Sequence, residues 1–199
     1  YLEWKQQTIF KLFQKSNIVE KEFGGFCASK LQQRRRASFK FKRTQGKSFI
    51  GFYARKSHQI IELEGCIVLC PELLKTKQII LQGLDKILPI GASLSIQINQ
   101  YDTGSDILII AEKKVSKEVQ TELAVWASDT DIKRISLSYS GELKAYLIYQ
   151  KSPPSIIWGG IIISPPPGSF LQPTLFGEKI LQQEILSAYK NAKHCLDLF

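Results

Sequence analysis

The sequence contains no methionine, so the natural polypeptide is expected to start upstream of Tyr1 or to have lost its start. It also lacks a long apolar run. The longest, Ile156 to Ser164, is broken by Gly159 and Gly160, whereas a bilayer-spanning helix needs about 18 or more consecutive apolar residues. The opening Tyr1-Leu2-Glu3-Trp4-Lys5 mixes charged and apolar residues and has no signal-peptide pattern. These absences predict a cytoplasmic protein without a membrane partner. Cysteine is limited to Cys27, Cys66, Cys70 and Cys195. In a reducing compartment disulfides are not expected. The three residues between Cys66 and Cys70 do not give zinc-ribbon spacing, so the thiols are expected to be buried apolar groups.

A further absence is of one charge sign. No acidic residue lies between Glu22 and Glu62, while Lys30, Arg34, Arg35, Arg36, Lys40, Lys42, Arg43, Lys47, Arg55 and Lys56 all do. That block alone exceeds the net charge of +9, so the rest of the chain is close to neutral. A dense block of cations suits a polyanion, because each neutralised phosphate releases condensed counterions. Charge alone leaves open a membrane surface, an acidic protein, or simply a solvated basic face.

What is present reads as an α+β domain, an antiparallel sheet with helices. Leu2, Ile9, Phe10 and Phe13 fall near one helical face, which predicts a helix over Tyr1–Ser16. Residues 17 to 33 are irregular, punctuated by Gly24-Gly25. Arg36 to Arg43 alternates, with Ala37, Phe39 and Phe41 on one side and Ser38, Lys40 and Lys42 on the other. A turn at Thr44–Lys47 and a return strand at Ser48–Ala54 complete a hairpin with one basic face. Arg35 stands where two fates are open, a phosphate contact or an inward pairing with a carboxylate. Further along, the pattern predicts a strand at Ile60–Leu63 and a helix over Pro71–Leu88. Hairpins are predicted from Leu94–Gln100 with Ile107–Ala111 and from Ile132–Ser138 with Leu143–Tyr149. Between them, Ser116 caps a helix reaching Ser128. Adjacent Ser57 and His58 have no nearby acid and alternate across a strand, so hydrolytic chemistry is not expected of them. They are expected to shape the strand end and meet the partner.

Two proline-rich stretches, Ser152-Pro153-Pro154 and Ser164-Pro165-Pro166-Pro167-Gly168-Ser169, bracket one short apolar strand. A helix capped by Thr174 follows, from about Leu175 to Lys190. The ending Cys195-Leu196-Asp197-Leu198-Phe199 reads as a buried parallel strand that has just begun, so the chain is expected to be an interior fragment.

Several stretches in this order resemble the RNA (uracil-5-)-methyltransferases, the bacterial 23S rRNA and tRNA 5-methyluridine methyltransferase family. They are Arg34-Arg35-Arg36-Ala37-Ser38-Phe39, Gly51 to Ile61, Glu64-Gly65-Cys66-Ile67-Val68-Leu69-Cys70-Pro71, Phe170-Leu171-Gln172-Pro173-Thr174 and Asp197-Leu198-Phe199. The style is closest to the 23S rRNA branch. The resemblance implies S-adenosyl-L-methionine as cofactor, an rRNA-processing role and a monomer. It divides the chain into an N-terminal helix and linker (1–22), a central RNA-contacting α+β domain (23–152), and the truncated start of a Rossmann-like methyltransferase domain (153–199). RNA contacts are expected from Arg34, Arg35, Arg36, Lys40, Lys42, Arg43, Arg55, Lys56 and His58. Cofactor contacts are expected from Gln172 and Asp197, although Thr174 stands where the family has Asn.

Cys66 matches one ligand of the family's four-iron, four-sulfur cluster. Its three partner cysteines are absent, and one thiolate cannot hold a cluster that needs four, so no cluster is expected here. The family's nucleophilic cysteine and general base match no residue of this chain, so the chain alone is expected to be inactive. The competing readings are a stand-alone basic RNA-binding module and a ribosome-associated protein without catalysis.

Overall fold

The structure is a computed structural model that describes residues 1–17, 26–190, 193, 194 and 196. It divides into two compact units, Tyr1–Lys30 and Leu31–Phe199. The first holds helix α1 (Leu2–Lys15), with Glu3 in the first turn and Lys15 in the last, the polarity that the helix dipole favours. Ile9, Phe10 and Phe13 are half-buried, while Leu2, Trp4 and Leu12 are exposed.

The second unit is built on a seven-stranded sheet. Its strands are β1 (Arg36–Arg43), β2 (Ser48–Tyr53), β3 (Ile60–Glu62), β4 (Ser93–Tyr101), β5 (Gly104–Ala111), β6 (Arg134–Tyr139) and β7 (Ala145–Gln150), in the order β3-β2-β1-β4-β5-β6-β7. Helix α2 (Pro71–Ile87) joins β3 to β4, and α3 (Lys117–Ser128) joins β5 to β6. The sheet is antiparallel, as expected of this α+β fold, except at one pair of neighbours. β5 and β6 run parallel, Asp106 opposite Arg134 through Ala111 opposite Tyr139. Parallel neighbours require a crossover, and α3 supplies it. Local chemistry sets the ends of these elements. Thr44 Oγ1 accepts from the Lys47 N–H at 3.2 Å and closes the β1–β2 turn. Pro71 starts α2, and the Ser116 hydroxyl caps α3 by accepting from the Val119 N–H at 3.3 Å.

Alternation decides which face is buried. Ala37, Phe39, Phe41, Ile50, Ile96, Ile98, Ile107, Ile109, Ile135 and Leu137 form the core with Leu73, Ile80 and Leu84 of α2 and Leu123 and Ala127 of α3. Gly83 of α2 lies against Trp126 of α3, whose ring atoms would come within 2.2 Å of an added Cβ. Any side chain there would push the two helices apart. Lys77 is buried on α2 and donates to the Leu63 carbonyl at 2.7 Å. Burial pulls its ammonium pKa below the usual lysine value, against a smaller opposing effect of Glu62.

The opposite face of the sheet is polar, and half of it is covered by a strap. After β7 the chain forms a two-stranded ribbon, β8 (Ile156–Trp158) and β9 (Ile161–Ile163). This corrects the expectation of a single strand. Gly159 and Gly160 have φ of +58° and +84°, which suits the two-residue turn of a hairpin. Residues 165–170 then run across the sheet. The Pro165 carbonyl accepts from Arg134 of β6 at 2.8 Å, Gly168 rests on Leu108 of β5, and the Ser169 carbonyl accepts from Asn99 of β4 at 2.9 Å. Phe170 reaches Arg36 of β1, whose guanidinium lies 4.8 Å from the ring centroid. Beneath the strap Arg134 and Asp106 form a buried two-pronged ion pair, with N–O distances of 2.8 and 2.9 Å. Helix α4 (Leu175–Tyr189) follows, and the Thr174 hydroxyl caps it by accepting from the Gly177 N–H at 3.1 Å.

Candidate nucleic-acid interface

The half of the polar face that the strap leaves open is the β1–β2 end. Strand parity puts Arg36, Ser38, Lys40 and Lys42 of β1 on this face. Ser93, Ser95 and Gln97 of β4 stand opposite Lys42, Lys40 and Ser38 in register. Lys42 is exposed. Lys40 donates to Ser95 Oγ at 2.6 Å, and its ammonium lies 5.2 Å from the Tyr53 ring centroid. Arg34 is exposed just ahead of β1. Its Nε donates to the Arg36 carbonyl at 3.0 Å, which leaves most of its guanidinium donors outward. Arg55 and Lys56 are exposed in the turn after β2, where Lys56 has a φ of +54°. His58 is exposed in the same turn and sits edge-on to Tyr53, with centroids 5.4 Å apart at 82°.

Two of the expected surface cations are engaged elsewhere. Arg35 is only 6% exposed. Its guanidinium pairs with Glu178 of α4, and its Nε donates to the Gln172 carbonyl at 3.1 Å. Asp102 lies 4.0 Å away on another side. Burial and pairing with a carboxylate withdraw the guanidinium from the surface, so Arg35 is corrected from a surface contact to an internal clamp. Arg43 donates to the Leu88 carbonyl at the end of α2 and lies 3.9 Å from Asp85. It has opposite parity to Lys42, and it satisfies a helix carbonyl that lacks an intrahelical partner. Its expected role on the basic face is corrected in the same way.

The other expected site residues are dispersed. Ser57 Oγ accepts from the Gln59 N–H at 3.0 Å, so the hydroxyl shapes the turn. Gln172 is half-buried, and its carbonyl is held by Arg35. Asp197 and Cys195 lie outside the described residues. Cys66 is half-buried against the core edge, Cys70 is buried, and Cys27 is exposed, which corrects the expectation that the thiols are buried. Burial is the main cause that raises the Cys70 thiol pKa. Among the described residues no group of three or more His, Cys, Asp or Glu side chains is arranged to hold a metal. The residues around Cys66 therefore do not fit an iron–sulfur cluster, and Gln172 alone does not make a cofactor site. Among the described residues no helix is long and apolar enough to cross a membrane.

No family model matches the chain. Curated relatives do. A protein of Rhizobium meliloti named "Uncharacterized RNA methyltransferase" is 24% identical over the full chain, which spans 46% of that protein. A Brucella suis protein of the same description is 27% identical, again over 100% of the chain and 46% of the relative. One from Agrobacterium fabrum is 31% identical over 84% of the chain and 39% of the relative. The chain thus spans less than half the length of each. In fold, it matches a tRNA (uracil-54, C5)-methyltransferase of Pyrococcus abyssi, crystallised with S-adenosyl-L-homocysteine. That match has a TM-score of 0.56 and 12% identity, and covers 80% of this chain and 42% of the other. By sequence over its whole length and by fold over most of it, the chain is similar to RNA methyltransferases.

Proposed function

We propose that this chain is the RNA-contacting segment of an S-adenosyl-L-methionine-dependent RNA methyltransferase that forms 5-methyluridine in 23S rRNA. In this reading the whole protein acts as a cytoplasmic monomer. The observation that carries the reading is the half-open polar face of the sheet. Lys40 and Lys42 stand on it, Arg34 and Arg36 border it, and Arg55 and Lys56 close one end. These cations follow the RNA backbone, position it and carry little sequence information. The uracil is presented to a catalytic site supplied by other parts of the whole protein. Cys66 matches no complete ligand set, so the reading includes no cluster within this segment.

Two measurements test it. The full-length protein containing this segment, given unmodified 23S rRNA and S-adenosylmethionine labelled on the methyl group, is expected to place label at uracil carbon 5. The 199-residue chain alone is expected to place none. Label that appears only in tRNA would move the substrate to that RNA. Label absent from carbon 5 would overturn the reaction. Separately, the 199-residue chain is expected to bind RNA with log K falling against log salt at a slope of about −3 to −4, as for about four neutralised phosphates. Replacing Arg34 and Arg36 together by Ala is expected to flatten that slope by roughly 1.5 to 2. An unchanged slope would reduce the basic face to a solvated surface.

A further inference from the structure

We infer that Tyr53 is a stacking platform for an unpaired RNA base, so that this face selects looped-out nucleotides over continuous duplex. The inference rests on the RNA-contacting role proposed above and adds the kind of RNA that fits. Tyr53 ends β2 on the same face as Lys40 and is 39% exposed. Its ring is exposed and has cations gathered near it. Lys40 Nζ lies 5.2 Å from its centroid, the His58 ring stands nearly perpendicular to it with centroids 5.4 Å apart, and Arg55 and Lys56 follow after Ala54 in the chain.

The physical sense lies in how these groups are held. The phenol ring is held by its strand, where Tyr53 pairs with Ile60 of β3. His58 packs nearly perpendicular to it from a β2–β3 turn in which the Ala54 N–H donates to the Gln59 carbonyl at 2.9 Å. Lys40 is the adjustable member. Its ammonium is shared between Ser95 Oγ and the ring face, and both are weak partners compared with a phosphate oxygen. An arriving nucleotide offers a phosphate to Lys40 and a base to Tyr53. The lysine swings to the phosphate and uncovers the ring for the base. A base locked in a duplex cannot present its flat face to the ring, whereas one splayed from a loop can. Stacking is sequence-tolerant because every base has a π-face, so this site distinguishes RNA shape rather than sequence.

The test uses the 199-residue chain and two probes. One is a 12-nucleotide single-stranded RNA with a central 2-aminopurine, and the other is its fully paired duplex. The single strand is expected to bind more tightly, with its 2-aminopurine fluorescence quenched on binding. Tyr53→Leu and Tyr53→Ala are each expected to weaken single-strand binding by about 5- to 100-fold, the range for losing one stacked base. Both are expected to abolish the quenching and to leave duplex affinity and the salt slope unchanged. Tyr53→Trp is expected to retain tight binding and quenching. The exposed position of Tyr53 allows the leucine variant to keep the strand, and its unfolding midpoint checks this.

The inference is overturned if Tyr53→Leu, folded, binds the single strand as the original chain does. It is also overturned if the variant loses duplex and single-strand affinity equally. If the unaltered chain binds neither RNA, the RNA-contacting role itself falls. If it binds RNA with the expected salt slope while the Tyr53 variants change nothing, only the stacking platform falls.

Discussion

The two faces of the seven-stranded sheet come from the same strands, residue by alternate residue, and they are organised differently. On the helix-covered face Phe39, Ile96, Ile109 and Leu137 are almost wholly excluded from water, and α2 and α3 close over them. On the other face the cover is a strap without regular secondary structure. It is fixed by polar contacts to its own backbone carbonyls, from Arg134, Asn99 and Gln97. Hydrophobic cover needs area and tolerates sliding contacts, because apolar burial is non-directional. Polar cover needs particular donors at particular places, because an unpaired buried donor is costly. The first face therefore serves stability. The second can end abruptly, leaving its β1–β2 half open to a ligand.

Three tests sharpen the contrast, from the largest expected effect to the smallest. Phe39→Ala removes a side chain at 0% exposure from the centre of the covered face. It is expected to cost about 3–5 kcal/mol of unfolding free energy in urea titrations. A loss under about 1 kcal/mol would mean that this face is not the main core. Arg134→Met strands Asp106 beneath the strap and is expected to cost about 3 kcal/mol. Adding Asp106→Leu should recover most of that loss, since a buried pair replaced by apolar groups is often neutral. If the double variant is as unstable as the single, the pair does more than neutralise itself. Lys42→Ala, on the open half, is expected to change stability by less than about 0.5 kcal/mol while weakening RNA binding. A large stability loss there would show that the open half is structural too.

The legibility of the fold follows the same division. Helices α2 and α3 and strands β1 and β2 could be read within a residue or two, because periodicity and caps such as Ser116 are local signals. The parity of β1 correctly sorted Ala37, Phe39 and Phe41 from Ser38, Lys40 and Lys42. In the sequence Arg35 stands between two fates, because its partner is 143 residues away. Arg43 reads as a surface cation for a similar reason: nothing near it in sequence marks the carbonyl of Leu88, 45 residues on. The β8–β9 turn had a signal in Gly159-Gly160, a pair that reads equally as a break in one strand or as the corner of two.

The sequence by itself determined the element order from α1 to β7, the inward and outward sides of the first hairpin, and a concentration of positive charge with no acid among it. Those are properties of neighbouring residues, settled by backbone geometry, side-chain alternation and the count of charges. The tertiary structure alone decided that β5 and β6 lie parallel, that residues 165–170 cover half of the polar face, and which arginines are surface and which are clamps. A guanidinium takes whichever carboxylate or carbonyl the fold brings within about 3 Å. Distance along the chain says nothing about which one that will be.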